Sequence, residues 1–170
     1  MNAFTEIIDT YRDSLIFYLN RTLNNLSVSE DIAADSFAEL MLHGNRYNKD
    51  KSSVKTYLFT IAHHKMVSYI RHASRYKMIP YEEAPQVSLE YQSFENELFK
   101  KAQNEILHNA MSKLGEEYRT VLHLVYFEDM TYEQVAKVMK KTKKQIDNYV
   151  YRGKKALRAI LEKEGFEYEE

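Results

Sequence analysis

The chain contains no cysteine, which removes disulfides and thiolate chemistry and suits a reducing compartment. Only four glycines and two prolines are spread over its 170 residues, so few positions break a helix. No apolar run approaches the length of a membrane span, and the opening MNAFTEIIDTYRDSL lacks the basic-then-apolar build of a signal peptide. There is no Gly-rich phosphate loop, no Ser–His–Asp arrangement and no isolated carboxylate pair. The adjacent His63 and His64 point about 100° apart on a helix, which disfavours a shared metal, and the other histidines lack ligand spacing with acidic partners. The expectation is a cytoplasmic, non-enzymatic protein with no cofactor, no metal, no small-molecule substrate and no membrane insertion.

What is present points to helices. Apolar residues make up 44% and charged residues 29%, with Leu, Ala, Glu and Lys abundant, as in an all-α globular protein of one ordinary domain or two small ones. The formal net charge of −1 conceals a division. From Lys137 to Lys163 the chain carries Lys137, Lys140, Lys141, Lys143, Lys144, Arg152, Lys154, Lys155, Arg158 and Lys163 against only Asp147 and Glu162. A second basic cluster, Lys65, Arg71, His72, Arg75 and Lys77, closes the first half. Two separate patches in a neutral protein suggest two contacts with one polyanion, and solvated helix faces are the plainer alternative for either alone.

Both prolines fall within KMIPYEEAPQVSLEYQS, which has no sustained periodicity. Residues 78–93 therefore read as a linker between helical modules at 1–77 and 94–163, with an acidic, disordered tail at 164–170. In the first module Phe4, Ile7, Ile8, Tyr11, Leu15, Tyr18, Leu19 and Leu23 recur at helical spacing. Ser29 is the expected N-cap of a second helix with Glu30 and Asp31 in its first turn, burying Ile32, Phe37, Leu40 and Met41 and stopping at Gly44. After the polar loop NRYNKDKSS, a third helix carries Val54, Leu58, Ile61, Ala62, Tyr69 and Ile70 on one side and Lys65, His72 and Arg75 on the other. The sum is a three-helix bundle.

The second module starts with Phe94, Leu98, Ala102, Ile106 and Ala110, one face of a helix, followed by EEYRTVLHLVYF, whose apolar end belongs in a core. His123, in that run, is expected to be a satisfied core residue, and most of the tyrosines are expected in the core. Thr131 and Thr142 then open two further helices, each with Gln three residues on, at Gln134 and Gln145. That is capping-box spacing. The last helix is expected to bury Ile146, Val150, Gly153, Leu157 and Ile160 and to turn Lys143, Lys144, Gln145, Asn148, Tyr151, Arg152 and Lys155 outward. Two capped helices joined by a tight turn form a helix-turn-helix, whose second helix presents its first turns to base edges while Lys and Arg hold phosphates. Lys140 stands in the turn, where positive φ is common and a non-glycine residue costs about 1 kcal/mol.

The order of elements resembles the extracytoplasmic-function group of bacterial RNA polymerase sigma factors of the sigma-70 family. SEDIAADSFAELM is similar to their region 2.2, KSSVKTYLFTIAHHKMVSYIRH to regions 2.3 and 2.4, and LGEEYRTVLHLVYFEDMTYEQVAKVMKKTKKQIDNYVYRGKKAL to region 4. The resemblance implies two small helical domains on a flexible linker. It implies a promoter-specificity subunit whose partners are promoter DNA and core RNA polymerase (the β′ clamp helices and the β flap), and it allows an anti-sigma factor.

By that resemblance, Asp31, Asp35, Phe37 and Glu39 dock on the polymerase. Ala34 replaces a frequent Gln there. Asn45, Tyr47 and Asn48 lie in the loop that captures a flipped −10 base, with Tyr47 favoured for the contact, and His64, Ser68, Arg71 and Arg75 follow on the next helix. His64 and Ser68 stand in for a common Asn and Asp. The −35 readers are Thr142, Lys143, Lys144, Gln145, Asn148, Tyr151, Arg152 and Lys155, while Asp147 and Tyr149 stand where Lys or Arg is usual. Three rival readings are a helix-turn-helix regulator without polymerase docking, a structural helical adaptor, and a nucleic-acid enzyme with a metal or acid–base centre.

Overall fold

The computed structural model describes residues 2–75 and 105–165. The expected linker at 78–93, the expected helix start at Phe94, Leu98 and Ala102, and the tail beyond Gly165 lie outside the described residues. Every regular element among the described residues is helical. The first body holds α1 (Ala3–Leu23), α2 (Leu26–Leu42) and α3 (Val54–Arg75), and the second holds α4 (Glu105–Ser112), α5 (Glu116–Tyr126), α6 (Tyr132–Met139) and α7 (Lys143–Lys163).

Two asparagines separate α1 from α2. Asn24 ends α1 in the left-handed region (φ 47) that Asn tolerates, and its N–H donates to the Asn20 carbonyl at 2.8 Å. Asn25 then caps α2, its side chain accepting the Val28 N–H at 3.1 Å. The expected cap, Ser29, is instead buried one turn inside the helix, where its hydroxyl donates to the Asn25 carbonyl at 2.8 Å. Glu30 and Asp31 consequently lie beyond the first turn. The helix begins at the first polar side chain after the left-handed stop, which leaves Ser29 no terminal N–H to cap.

The three helices pack pairwise around Leu15, Ile16, Phe17, Leu19, Ile32, Phe37, Leu40, Leu58, Phe59, Ala62 and Met66. A fully buried Leu or Phe of this kind contributes about 1.5–3 kcal/mol. Met41, expected inside, is 60% exposed, and its neighbour Leu42 is 71% exposed. Among the described tyrosines only Tyr18 is buried, which corrects the expectation that most lie in the core. A phenol packs its ring and keeps its hydroxyl at the water, so half-burial satisfies it.

In the second body α4 and α5 pack on α7. Ala110, Met111, Leu114, Val121, Leu122, Leu124, Val135, Val138, Ile146, Val150 and Leu161 are buried, whereas Ile106 and Tyr126 are exposed and Leu157 and Ile160 half-buried. The apolar end of α5 is thus only partly internal. His123 is fully buried, stacked on Phe127 (5.2 Å, 17°), with Nε2 3.5 Å from Glu128 Oε1. Gly153 lets α5 and α7 approach closely: a Cβ there would meet Leu122 Cδ1 at 3.3 Å and Tyr118 Cβ at 3.4 Å.

Candidate nucleic-acid interface

The turn between α6 and α7 is built from backbone chemistry at three points. Thr131 opens α6 with a reciprocal pair, its Oγ1 accepting the Gln134 N–H at 3.2 Å and its own N–H donating to Gln134 Oε1 at 2.9 Å. At the other end Lys140 adopts φ 53, and the Lys141 N–H donates back to the Ala136 carbonyl at 3.0 Å. That bond, spanning six residues across a left-handed residue, is the Schellman closure usually given to glycine. Thr142 then repeats the capping box with Gln145, at 2.8 and 3.1 Å. The spacing of Thr and Gln in the sequence therefore fixes both helix starts.

The capped α7 displays a continuous polar face. Thr142, Lys143, Lys144, Gln145, Asn148, Tyr151, Arg152 and Lys155 are all exposed, Tyr151 at 69%, while Ile146, Val150 and Gly153 face inward. Of these basic side chains Lys143 is already engaged, and so is Lys141 in the turn before the helix. Lys143 Nζ donates to Glu133 Oε1 at 3.2 Å, and Lys141 Nζ lies 3.9 Å from Glu117 Oε1. Burial, with a hydrogen bond to Glu117, raises the Tyr149 phenol above its usual range. Gln145 is less free than its exposure suggests, because its carbonyl oxygen holds the Thr142 N–H.

In the first body the loop after α2 is shaped by its own polar groups. A 3-10 turn, Gly44–Arg46, carries exposed Asn45. Tyr47 is half-buried with its ring 5.3 Å from that of Tyr57 at 51°. The Asn48 side chain accepts the Asp50 N–H at 2.9 Å, and its carbonyl accepts Lys51 and Ser52 N–H groups at 3.0 and 3.2 Å. Asn48 thus forms the turn. Ser53 starts α3 by accepting the Thr56 N–H at 3.1 Å. Along α3, half-buried His64 and exposed Ser68, Arg71 and Arg75 follow at steps of four, three and four, which places them on one face.

The expected docking residues divide. Asp31 and Asp35 are exposed. Glu39 pairs with Lys65 at 2.9 Å, which holds its carboxyl below the usual range against a smaller opposing effect of burial. Phe37 is buried and forms part of the floor of a groove of about 360 Å³ between α1 and α2, with Ile8, Ile16, Ala33 and Met41. It packs rather than presents. The exposed apolar pair Met41 and Leu42 was missed by sequence reasoning, since periodicity groups Met41 with Phe37 without revealing that the groove beside it stays open. Among the described residues no group of His, Asp and Glu could hold a metal ion, and no helix is long and apolar enough to cross a membrane.

Residues 7–76 match the family described as Sigma-70 region 2, and residues 104–157 match Sigma-70, region 4. The chain belongs to the sigma-70 family. It is similar to the RNA polymerase sigma factor YlaC of Bacillus subtilis (24% identical, covering 95% of this chain and 94% of that protein). It is also similar to the ECF RNA polymerase sigma factor SigM of the same organism (23% identical, covering 91% and 93%). These likenesses place it in the extracytoplasmic-function group. The fold is that of the sigma factor RpoE solved with the anti-sigma factor NepR from Bartonella quintana (TM-score 0.73, 18% identical, covering 95% and 98%). It is likewise that of CnrH solved with the cytosolic domain of CnrY (TM-score 0.65, 19% identical, covering 94% and 88%). Region 2 is the α1–α3 bundle, and region 4 contains the helix-turn-helix of α6 and α7. As a sigma factor, the chain gives transcription initiation its choice of promoter.

Proposed function

We propose that this sigma factor binds core RNA polymerase mainly through region 2 and reads two promoter elements with separate faces. The −10 element meets the Asn45–Asn48 loop and the His64, Ser68, Arg71 and Arg75 face of α3. The −35 duplex meets the exposed face of α7, with Lys143, Lys144, Arg152 and Lys155 on phosphates and Asn148 toward base edges. Core polymerase meets the exposed acids Asp31 and Asp35 and the apolar pair Met41 and Leu42, an arrangement that combines charge steering with apolar burial. The functional divisions are residues 1–77 and 94–163, joined by a tether at 78–93 and followed by the tail at 164–170. Catalysis stays with the polymerase, the chain acts in the cytoplasm, and an anti-sigma factor is a third partner.

The observation that carries this reading is the doubly capped helix-turn-helix with an unbroken exposed polar face on α7. Transcription by purified core polymerase, with and without the protein, on a library of promoters tests it. Protein-dependent transcripts sharing −10 and −35 sequences are the expected result. DNA binding without core binding would instead identify a regulator that has lost polymerase docking.

A further inference from the structure

The two helices of the helix-turn-helix begin with opposite charges side by side. Glu133 lies in the first turn of α6, where a carboxylate complements the helix dipole. Lys143 lies in the first turn of α7, where an ammonium opposes it. The two meet at 3.2 Å, both well exposed. Lys143 thus sits at an electrostatically poor position for a cation, and Glu133 is its counter-charge in the absence of DNA. A phosphate approaching the start of α7 must compete with that carboxylate for the ammonium.

We propose that Glu133 sets the strength and salt dependence of −35 binding by holding Lys143 as an ion pair that phosphate has to displace. The inference rests on the assignment of the α7 face to DNA. Its consequence is that removing a negative charge, and adding nothing, tightens binding to any duplex. An exposed pair is modest in strength, so the effect is modest as well. Displacement also withholds part of the counterion release that Lys143 would otherwise bring about.

The test uses holoenzyme reconstituted from core polymerase and the full-length chain, titrated with promoter DNA carrying a matched or a scrambled −35 element across a salt series. Glu133→Gln should tighten both complexes by about two- to fivefold at low salt and steepen the salt slope by up to about 0.9. Thr131 and Gln134 keep their capping box in this variant. Lys143→Gln should weaken both complexes, and Glu133→Gln should add nothing in its presence. A tightening that persists without Lys143 overturns the pair and leaves only a diffuse charge effect. An inert Glu133→Gln beside a weakened Lys143→Gln overturns the inference while the DNA reading stands. If both single variants bind as the parent does, Lys143 does not meet DNA, and the assignment of that residue fails together with the inference.

Discussion

The hydroxyl of Tyr18 and Nδ1 of His63 lie 2.7 Å apart in the interior of region 2, joining α1 to α3. Burial, with a smaller contribution from neighbouring His64, pushes the His63 pKa down from 6.5 to about 4. The imidazole is therefore neutral in the folded bundle. The unfolded chain takes up a proton near pH 6.5 and the folded chain only near pH 4, so the unfolded state holds more protons between these values. The contribution of His63 to region 2 stability is complete above pH 6.5 and is lost as pH drops toward 4, by about 2–4 kcal/mol. Hydrogen exchange of the α1 and α3 amides should follow that fall, and His63→Gln should reduce it to the part left by His64, whose pKa burial also lowers. The Glu39 carboxyl, lowered chiefly by its hydrogen bond to Lys65, loses its contribution only below its unfolded value of 4.5, which separates the two groups. Equal slopes in parent and variant between pH 6.5 and 5 would exclude His63 as the source.

Lys140 should show stability and DNA affinity moving in opposite directions. At φ 53 a non-glycine residue is strained, so Lys140→Gly should raise the thermal stability of region 4 by about 1 kcal/mol. The same change removes a cation from the turn and should weaken holoenzyme binding to matched and scrambled −35 duplexes alike, with a salt slope lower by about 0.9. Lys140→Gln should reproduce the loss of affinity without the gain in stability. If glycine leaves binding intact, the strained lysine has no role on DNA.

Much of region 4 was legible because its signals are local. A Thr and a Gln three apart sufficed to place both helix starts, and the lysine standing where a glycine is usual marked the left-handed turn. Region 2 was less so. Ser29 and Asn25 are both good caps, and the choice between them was made by Asn24, whose left-handed φ could not be read from the chain. Met41 follows Phe37 by four residues and fits the apolar stripe, yet burial depends on whether the groove beside it is closed. The engagement of Asn48 and Lys143 was equally hidden, since identity and spacing do not show which of their side-chain atoms are already in use.

Gly153 should tolerate one methyl group and no more. An alanine Cβ would press Leu122 Cδ1 at 3.3 Å, the movable end of a side chain, and touch Tyr118 Cβ at an ordinary 3.4 Å. The helix preference of Ala over Gly, about 1 kcal/mol, opposes that crowding, so Gly153→Ala should melt within about 1 kcal/mol of the parent. Gly153→Val adds branches with nowhere to go and should cost about 1–3 kcal/mol. Thermal melting of the two variants checks the ranking. A valine variant as stable as the parent would mean that α5 and α7 can separate without cost.

Base readout should fall to Asn148 rather than to Gln145. A side-chain amide recognises adenine by offering its NH2 and its carbonyl oxygen together. The Gln145 oxygen already accepts the Thr142 N–H at 2.8 Å, so a bidentate contact would require breaking the cap that starts α7. Asn148, one turn on and exposed, has no such duty in the capping box. Asn148→Ala should therefore change which −35 base is preferred by about 1–3 kcal/mol at one position and leave the salt slope and melting temperature unaltered. Gln145→Ala should lower stability by about 1 kcal/mol and weaken all duplexes together, because the helix start it supports holds Lys143 and Lys144, the residues proposed to meet phosphates. Gln145→Glu, which keeps an acceptor oxygen for the Thr142 N–H, should restore most of the stability. Competition binding of holoenzyme to single-base −35 variants, paired with thermal melts, separates the two roles. A shift in base preference from Gln145→Ala with unchanged stability would show that the cap opens on DNA and that this glutamine reads sequence after all.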